Sequence, residues 1–372
     1  MTGGGLVAVV GVACLLAYVN GANDVGKGVA TLVGSGTAEY RRALAWGTAW
    51  TAAGGLLGAM FAGAMLTTFG NGLLAPGTVT PFAAALAGLL GAGGWVLLAT
   101  RSGLPVSTTH ALVGSLVGVA AFAHGMDGVR WGTLGVKVLL PLLVSPIVSL
   151  VLTTALARAS TRRSPATADA DCLCAEIEPA ALPAGSSAAV SVLQLHLETG
   201  SSTRCASERP AELQLTLGNL HWLTSGLTSL ARGMNDAPKI VALAISASAL
   251  GASAALPTPL LFLAVTGGIV TGSLVAGRRV THVLAERITP MDHREGFAAN
   301  LVTSALVGTG AIHGLPMSTT HVASGAIFGI GARRGSLDTR VLRDIVLAWI
   351  VTLPASALLG VGAYLATTTL GG

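Results

Sequence analysis

Two short polar motifs each occur twice in an otherwise apolar chain. Gly21-Ala-Asn-Asp-Val recurs as Gly233-Met-Asn-Asp-Ala, and Gly103-Leu-Pro-Val-Ser-Thr-Thr-His recurs as Gly314-Leu-Pro-Met-Ser-Thr-Thr-His. Asp24 and Asp236 are 212 residues apart, and His110 and His321 are 211 apart. Such close agreement means one duplicated unit. Polar groups kept at matching points of a hydrophobic duplicate are expected where two repeats meet around a membrane site.

Of the 372 residues, 52% are hydrophobic and 10% charged, where soluble domains carry about a quarter charged. Apolar runs at 43–69, 80–99, 131–157, 257–277 and 341–368 include several longer than the roughly 20 residues that cross a hydrocarbon core. Fifty glycines suit close helix packing in lipid. An ordinary soluble all-α domain does not fit this composition. The first twenty residues lack a basic leader and run straight into the motif, so they read as a retained membrane segment.

Apolar passes fall near 4–20 (continuing to 38), 43–69, 80–100, 105–123 and 131–157, then near 217–250, 257–277, 295–312, 316–331 and 341–368. The expectation is an all-α polytopic membrane protein of about ten segments. Residues 1–158 form a first transmembrane repeat, 159–216 a linker, and 217–372 a second repeat. With an odd number of net crossings per repeat, the second copy is inverted in the membrane. Of the 21 basic residues, fifteen fall on the side opposite the N-terminus, including Arg41, Arg158, Arg278 and Arg333; only Arg130 and Lys137 fall on the N-terminal side. This asymmetry places both termini outside and the 159–216 loop in the cytoplasm. Basic charge here reports topology, and no nucleic-acid partner is needed to explain it. Segments 80–123 and 295–331 read either as pairs of full crossings or as re-entrant hairpins tipped by Pro105–Ser107 and their second-repeat equivalents.

The linker holds Cys172, Cys174 and Cys205, and alternating stretches from Val190 and from Glu212 that suit a small hairpin. The cysteine spacing, even with His196, matches no strong metal pattern, so reduced thiols are the plain reading. No metal site or cofactor is expected.

Asp24 and Asp236 sit inside membrane-length runs, where a carboxylate costs roughly 2.5–3.5 kcal/mol and normally faces a pathway or a partner. Lys27 and Lys239 follow three residues later, on the same helical face. Gly26, Gly28 and Pro238 suggest that the helices are loosened or broken there. Ser107, Thr108 and Thr109, like Ser318, Thr319 and Thr320, follow a Gly-Leu-Pro turn and open an apolar helix. Capping explains one hydroxyl of each trio. Clustered hydroxyls at a positive helix end also make an anion cradle, and two facing cradles can grip a tetrahedral oxyanion. His110 and His321 read as donors or proton carriers, or as packed, hydrogen-bonded rings. Arg101 reads as an anion contact at a hairpin tip or as a cytoplasmic anchor.

The stretches Gly21-Ala-Asn-Asp-Val…Val33-Gly-Ser-Gly, Ala231-Arg-Gly-Met-Asn-Asp-Ala-Pro-Lys and both Pro-x-Ser-Thr-Thr-His segments resemble the inorganic phosphate transporter (PiT) family across nearly the whole chain except the linker. The resemblance implies an inverted-repeat carrier in the plasma membrane, working by alternating access. Its partners would be inorganic phosphate, a coupling cation and the lipid bilayer, with a homo-oligomer compatible. It carries phosphate contacts onto Asn23, Asp24, Asn235, Asp236 and the hydroxyls at 107–109 and 318–320. One departure stands out. The family motif has Asn three residues after each Asp, where this chain has Lys27 and Lys239. A fixed ammonium beside each carboxylate supplies charge that sodium would otherwise bring, so proton coupling is expected over sodium. Sulfate transport on the same fold is the nearest alternative; a channel or a transport-inactive receptor is a remote one. An enzyme is not expected, because no Gly-x-Ser-x-Gly elbow supports the scattered Ser, His and Asp.

Overall fold

The apolar runs fold as helices, and the polar motifs fall where helices start, stop or cross. The computed structural model describes residues 3–75, 82–162, 172–179, 193–200, 213–251 and 256–370. The first repeat runs α1 (Gly3–Asp24), α2 (Gly26–Gly34), α3 (Tyr40–Phe61) and α4 (Gly63–Thr67), the last extended by a π turn at Thr68–Gly72. It continues with α5 (Phe82–Arg101), α6 (Thr108–His124) and, after π-helical turns at Leu134–Leu139, α7 (Leu140–Arg162). The second repeat runs α8 (Leu217–Gly251), α9 (Thr258–Ala276), α10 (Arg278–His282) with a π turn at Val283–Arg287, α11 (His293–Ile312), α12 (Thr319–Arg334) and α13 (Thr339–Leu370). With α8 standing where α1 and α2 do, the same order recurs, down to the π turn after the short helices α4 and α10.

Five stretches among the described residues are long and apolar enough to cross a membrane: 5–34, 82–101, 131–159, 258–276 and 339–369. A sixth forms if α3 and the following helix, bent by 75°, count as one span. This is an all-α multi-pass membrane architecture. The expected ten segments include helices that such a test passes over for physical reasons. α8 carries Arg232, Asp236 and Lys239 in its middle, and α6 and α12 have 17 and 16 residues.

Packing exchanges the halves. α1 lies against α9 and α3 against α8; α12 lies against α7 and α6 against α13. Glycine makes the closest of these approaches. A Cβ on Gly21 would overlap the Ile269 carbonyl, and one on Gly272 the Tyr18 carbonyl. The mirrored seam is alike, with Gly233 against Thr51 and Gly54 against Leu230. Backbone contact this close cannot be relieved by a rotamer change. Gly272→Ala is therefore expected to lower stability by about 1–3 kcal/mol by pushing α9 off α1. Gly267→Ala on the same helix, where an added Cβ meets nothing within 4 Å, should leave stability unchanged. Thermal melts on the two variants check this.

Two details depart from expectation. The Asp24 motif interrupts its helix by a single residue, Val25, between α1 and α2. The Asp236 motif does not interrupt its helix: α8 continues through Pro238 to Gly251. Proline removes one intrahelical bond, but α8 packs against α3, α11 and α1, and the helix continues through it. In the linker, the expected hairpin is instead a three-stranded antiparallel sheet, β2 (Leu193–Gly200), β1 (Cys172–Pro179), β3 (Leu213–Thr216). β1 has its own alternation in Ala-Glu-Ile-Glu and takes the central place. Cys174 pairs in register with Glu198, and Glu176 with His196; Cys205 lies outside the described residues.

The basic end of the molecule is tied by ions. Asp292 and Glu295 form a reciprocal cap at the start of α11, and Glu295 accepts from Arg333 and Arg334 at the end of α12. Asp338 opens α13, and the N–H groups of Val341 and Arg340 hold its carboxyl below the usual carboxylate range.

Candidate functional site

The two Gly-Leu-Pro turns are the tips of helical hairpins α5–α6 and α11–α12, and the tips meet each other between α1 and α8. Gly103 and Gly314 adopt positive φ (74° and 68°), which turns the chain sharply before each hydroxyl trio. Asn23 fixes the first tip. Its amide donates to Thr100 Oγ1 and the Leu104 carbonyl, each at 3.0 Å, and its oxygen accepts from the Val106 N–H at 3.2 Å. Asn235 reaches the second tip, donating to the Met317 carbonyl and to Asp236 Oδ1, each at 2.9 Å.

The three hydroxyls of each trio do three different things. Ser107 and Ser318 are helix N-caps, accepting from the His110 and His321 N–H groups at 3.2 Å. Thr109 and Thr320 cross to the opposite tip, donating to the Met317 and Val106 carbonyls at 3.3 and 2.7 Å. Thr108 and Thr319 reach the carboxylate pair in different ways: Thr108 Oγ1 accepts at 3.0 Å from Asn20, which also donates to both aspartates, and Thr319 donates to Asp24 Oδ2 at 3.4 Å. Capping thus accounts for one hydroxyl per trio; Thr109, Thr319 and Thr320 link the two halves, and Thr108 bonds Asn20 within its own.

The two motif lysines are held in oxygen cages. Lys27 pairs with Asp24 and donates to the Val106 carbonyl at 3.1 Å. Lys239 donates to Thr109 Oγ1 at 2.7 Å, the Met317 carbonyl at 3.0 Å and Asp236 Oδ1 at 3.4 Å. Each ammonium therefore faces a carboxylate and the carbonyl just before a hydroxyl trio. Asn20 ties the two carboxylates together, donating to Asp24 Oδ2 at 3.3 Å and Asp236 Oδ2 at 3.2 Å. The His110 and His321 rings stack at 4.6 Å, and His321 stacks on Trp349 at 3.9 Å. Every one of these polar groups is buried, so their charges interact strongly.

The residues expected at the site come together, some through contacts within one half, as in Lys27–Asp24 and Asn235–Met317, and others across the halves, as in Thr109–Met317, Thr320–Val106 and Lys239–Thr109. Arg101 does not: it is exposed, and its carbonyl accepts from Arg279 at 2.8 Å. Two residues of the centre went unassigned in the sequence. Asn20 lies four residues before Asp24 and Arg232 four before Asp236, one helical turn back on the same face. Superposing the two motifs one turn further upstream brings both to light.

The sequence profile described as Phosphate transporter family matches residues 20–360. A protein of Thermococcus kodakarensis named as a phosphate permease is 30% identical, with 92% of this chain and 93% of that one aligned. One of Rhizobium meliloti, named as a low-affinity inorganic phosphate transporter, is 28% identical over 97% and 96%. A solved sodium-dependent phosphate transporter shares the fold at a TM-score of 0.76 and 22% identity, covering 99% of this chain and 100% of that one. From residue 20 to residue 360, motifs, repeats and hairpins included, this chain belongs to the phosphate transporter family, whose members are carriers and not enzymes.

Proposed function

We propose that this protein is a secondary active transporter that moves inorganic phosphate across the plasma membrane by alternating access, coupled to protons. The observation that carries the reading is the meeting of two hydroxyl-bearing helix N-termini over a pair of buried carboxylates. Helix ends and hydroxyls donate to an oxyanion. Asp24 and Asp236 accept, and phosphate can still donate a hydrogen bond near neutral pH whereas sulfate cannot. Thr108 and Thr319, nearest the carboxylates, are the foremost hydroxyl contacts; Ser107 and Ser318 order the helix ends behind them. Asn23 and Asn235 position the tips. The stacked His110–His321 pair is assigned to proton transfer.

The same reading makes the two halves, 1–158 and 217–372, inverted repeats, with α5–α6 and α11–α12 as re-entrant hairpins. Both termini are outside and the 159–216 loop is cytoplasmic.

In proteoliposomes, radiolabelled phosphate uptake is expected to saturate, to respond to an imposed proton gradient and to resist competition by sulfate. Uptake of sulfate in preference to phosphate would transfer the reading to the sulfate carrier. Sodium coupling is the second reading, favoured by the sodium-dependent transporter of the same fold. Lys27 and Lys239, seated in their oxygen cages, speak against it here.

A further inference from the structure

One helical turn before each motif aspartate, the two halves of the duplicated site differ by a charge. Four residues before Asp24 stands Asn20, a neutral amide with three hydrogen bonds, to Asp24, Asp236 and Thr108. Four residues before Asp236 stands Arg232, 1% exposed. Its one hydrogen bond runs from Nη2 to Ser273 Oγ at 3.5 Å. Among the described residues, its Nε and Nη1 are buried with no partner.

Charge counting sharpens the anomaly. Asp24 is paired with Lys27 and Asp236 with Lys239, so both carboxylates at the hairpin tips already have a cation. Arg232 is a third, and it lies within electrostatic reach of both carboxylates. The buried centre therefore carries three positive groups against two negative ones. An unpaired guanidinium taken out of water costs several kcal/mol, and unsatisfied N–H groups add to that. The single Ser273 hydrogen bond leaves Nε and Nη1 unsatisfied among the described residues.

We propose that Arg232 is the charge-bearing ligand of the transported oxyanion, closing on phosphate from α8 while Thr108 and Thr319 approach from the hairpin helices. The planar fork of guanidinium N–H groups matches two phosphate oxygens, and a single negative charge on the ligand neutralises the centre. Asn20 holds the equivalent place in the first half and keeps the two carboxylates in register behind the anion. This inference rests on the phosphate reading above.

Phosphate binding to the purified full-length protein in detergent, measured with radiolabelled phosphate, tests it. Arg232→Gln is expected to weaken binding about 10- to 100-fold, the loss of a charge-assisted hydrogen bond of roughly 1.5–3 kcal/mol. Arg232→Lys keeps the charge without the fork and should fall between the two, about 5- to 10-fold weaker than the wild type. A melt without phosphate separates this from a structural role. If Arg232 waits for a ligand, Arg232→Gln removes an unpaired buried cation, and the midpoint should hold or rise. A lowered midpoint with phosphate affinity within twofold of the wild type overturns the inference and makes Arg232 a structural counter-charge. Should Arg232→Gln fail to fold, Arg232→Lys with wild-type affinity overturns it equally. A wild-type protein that binds no phosphate overturns the phosphate reading itself.

Discussion

Replacing Asp24 by alanine is expected to abolish uptake and to destabilise the folded protein more than any other single change at the site. Asp24 holds Lys27 through one carboxylate oxygen, and through the other it accepts from Asn20 at 3.3 Å and Thr319 at 3.4 Å. Without it the Lys27 ammonium, 2% exposed, keeps only the Val106 carbonyl. Leaving one member of a buried pair alone costs about 3–5 kcal/mol. Asp24→Asn keeps the shape and one acceptor, so it should fold better than Asp24→Ala and still fail to transport. Adding Lys27→Met to Asp24→Asn removes both charges together and should recover part of the lost stability without recovering uptake. A double-mutant cycle on thermal stability reads the coupling directly. Additive effects at these two positions, or wild-type uptake by Asp24→Ala, would remove the pair from the centre of the mechanism.

The duplication made much of this centre legible before any fold was known. Motif spacing placed both Asp–Lys pairs and both hydroxyl trios, and hydropathy placed the helices around them. What stayed hidden depended on the third dimension. A trio of hydroxyls at a helix start looks uniform in sequence, yet Ser107 caps, Thr109 crosses to Met317 and Thr108 meets Asn20. That division is set by the angle at which two tips meet, which local pattern does not encode. Asn23 looks like a ligand because it adjoins Asp24, but its amide is spent on Thr100, Leu104 and Val106. Pro238 looks like a break, yet α8 runs through it. Arg232 stands beside the Asp236 motif in sequence without a role, and burial shows that it lies in the centre.

Exchanging both lysines for asparagine, the residue implied by resemblance to the family motif, is expected to change the ion that drives transport. Lys239 Nζ stands among a carboxylate, a hydroxyl and a backbone carbonyl, and Lys27 Nζ between a carboxylate and a carbonyl. These are hard oxygen donors of the kind that bind small hard cations. An ammonium in that place is a tethered cation. The wild type should therefore take up phosphate at nearly the same rate when choline replaces sodium. In Lys27→Asn/Lys239→Asn the oxygens remain, the tethered charges are gone, and two buried carboxylates are left that only a free cation can neutralise. Sodium should then raise uptake by roughly tenfold or more, the size of a typical coupling between two bound ligands. Each single variant should show a smaller response, because one cage still holds its lysine. Uptake by the wild type that collapses in choline would show that sodium binds elsewhere and that the lysines only pair with their aspartates. A double variant that folds, transports and ignores sodium would say the same from the other side.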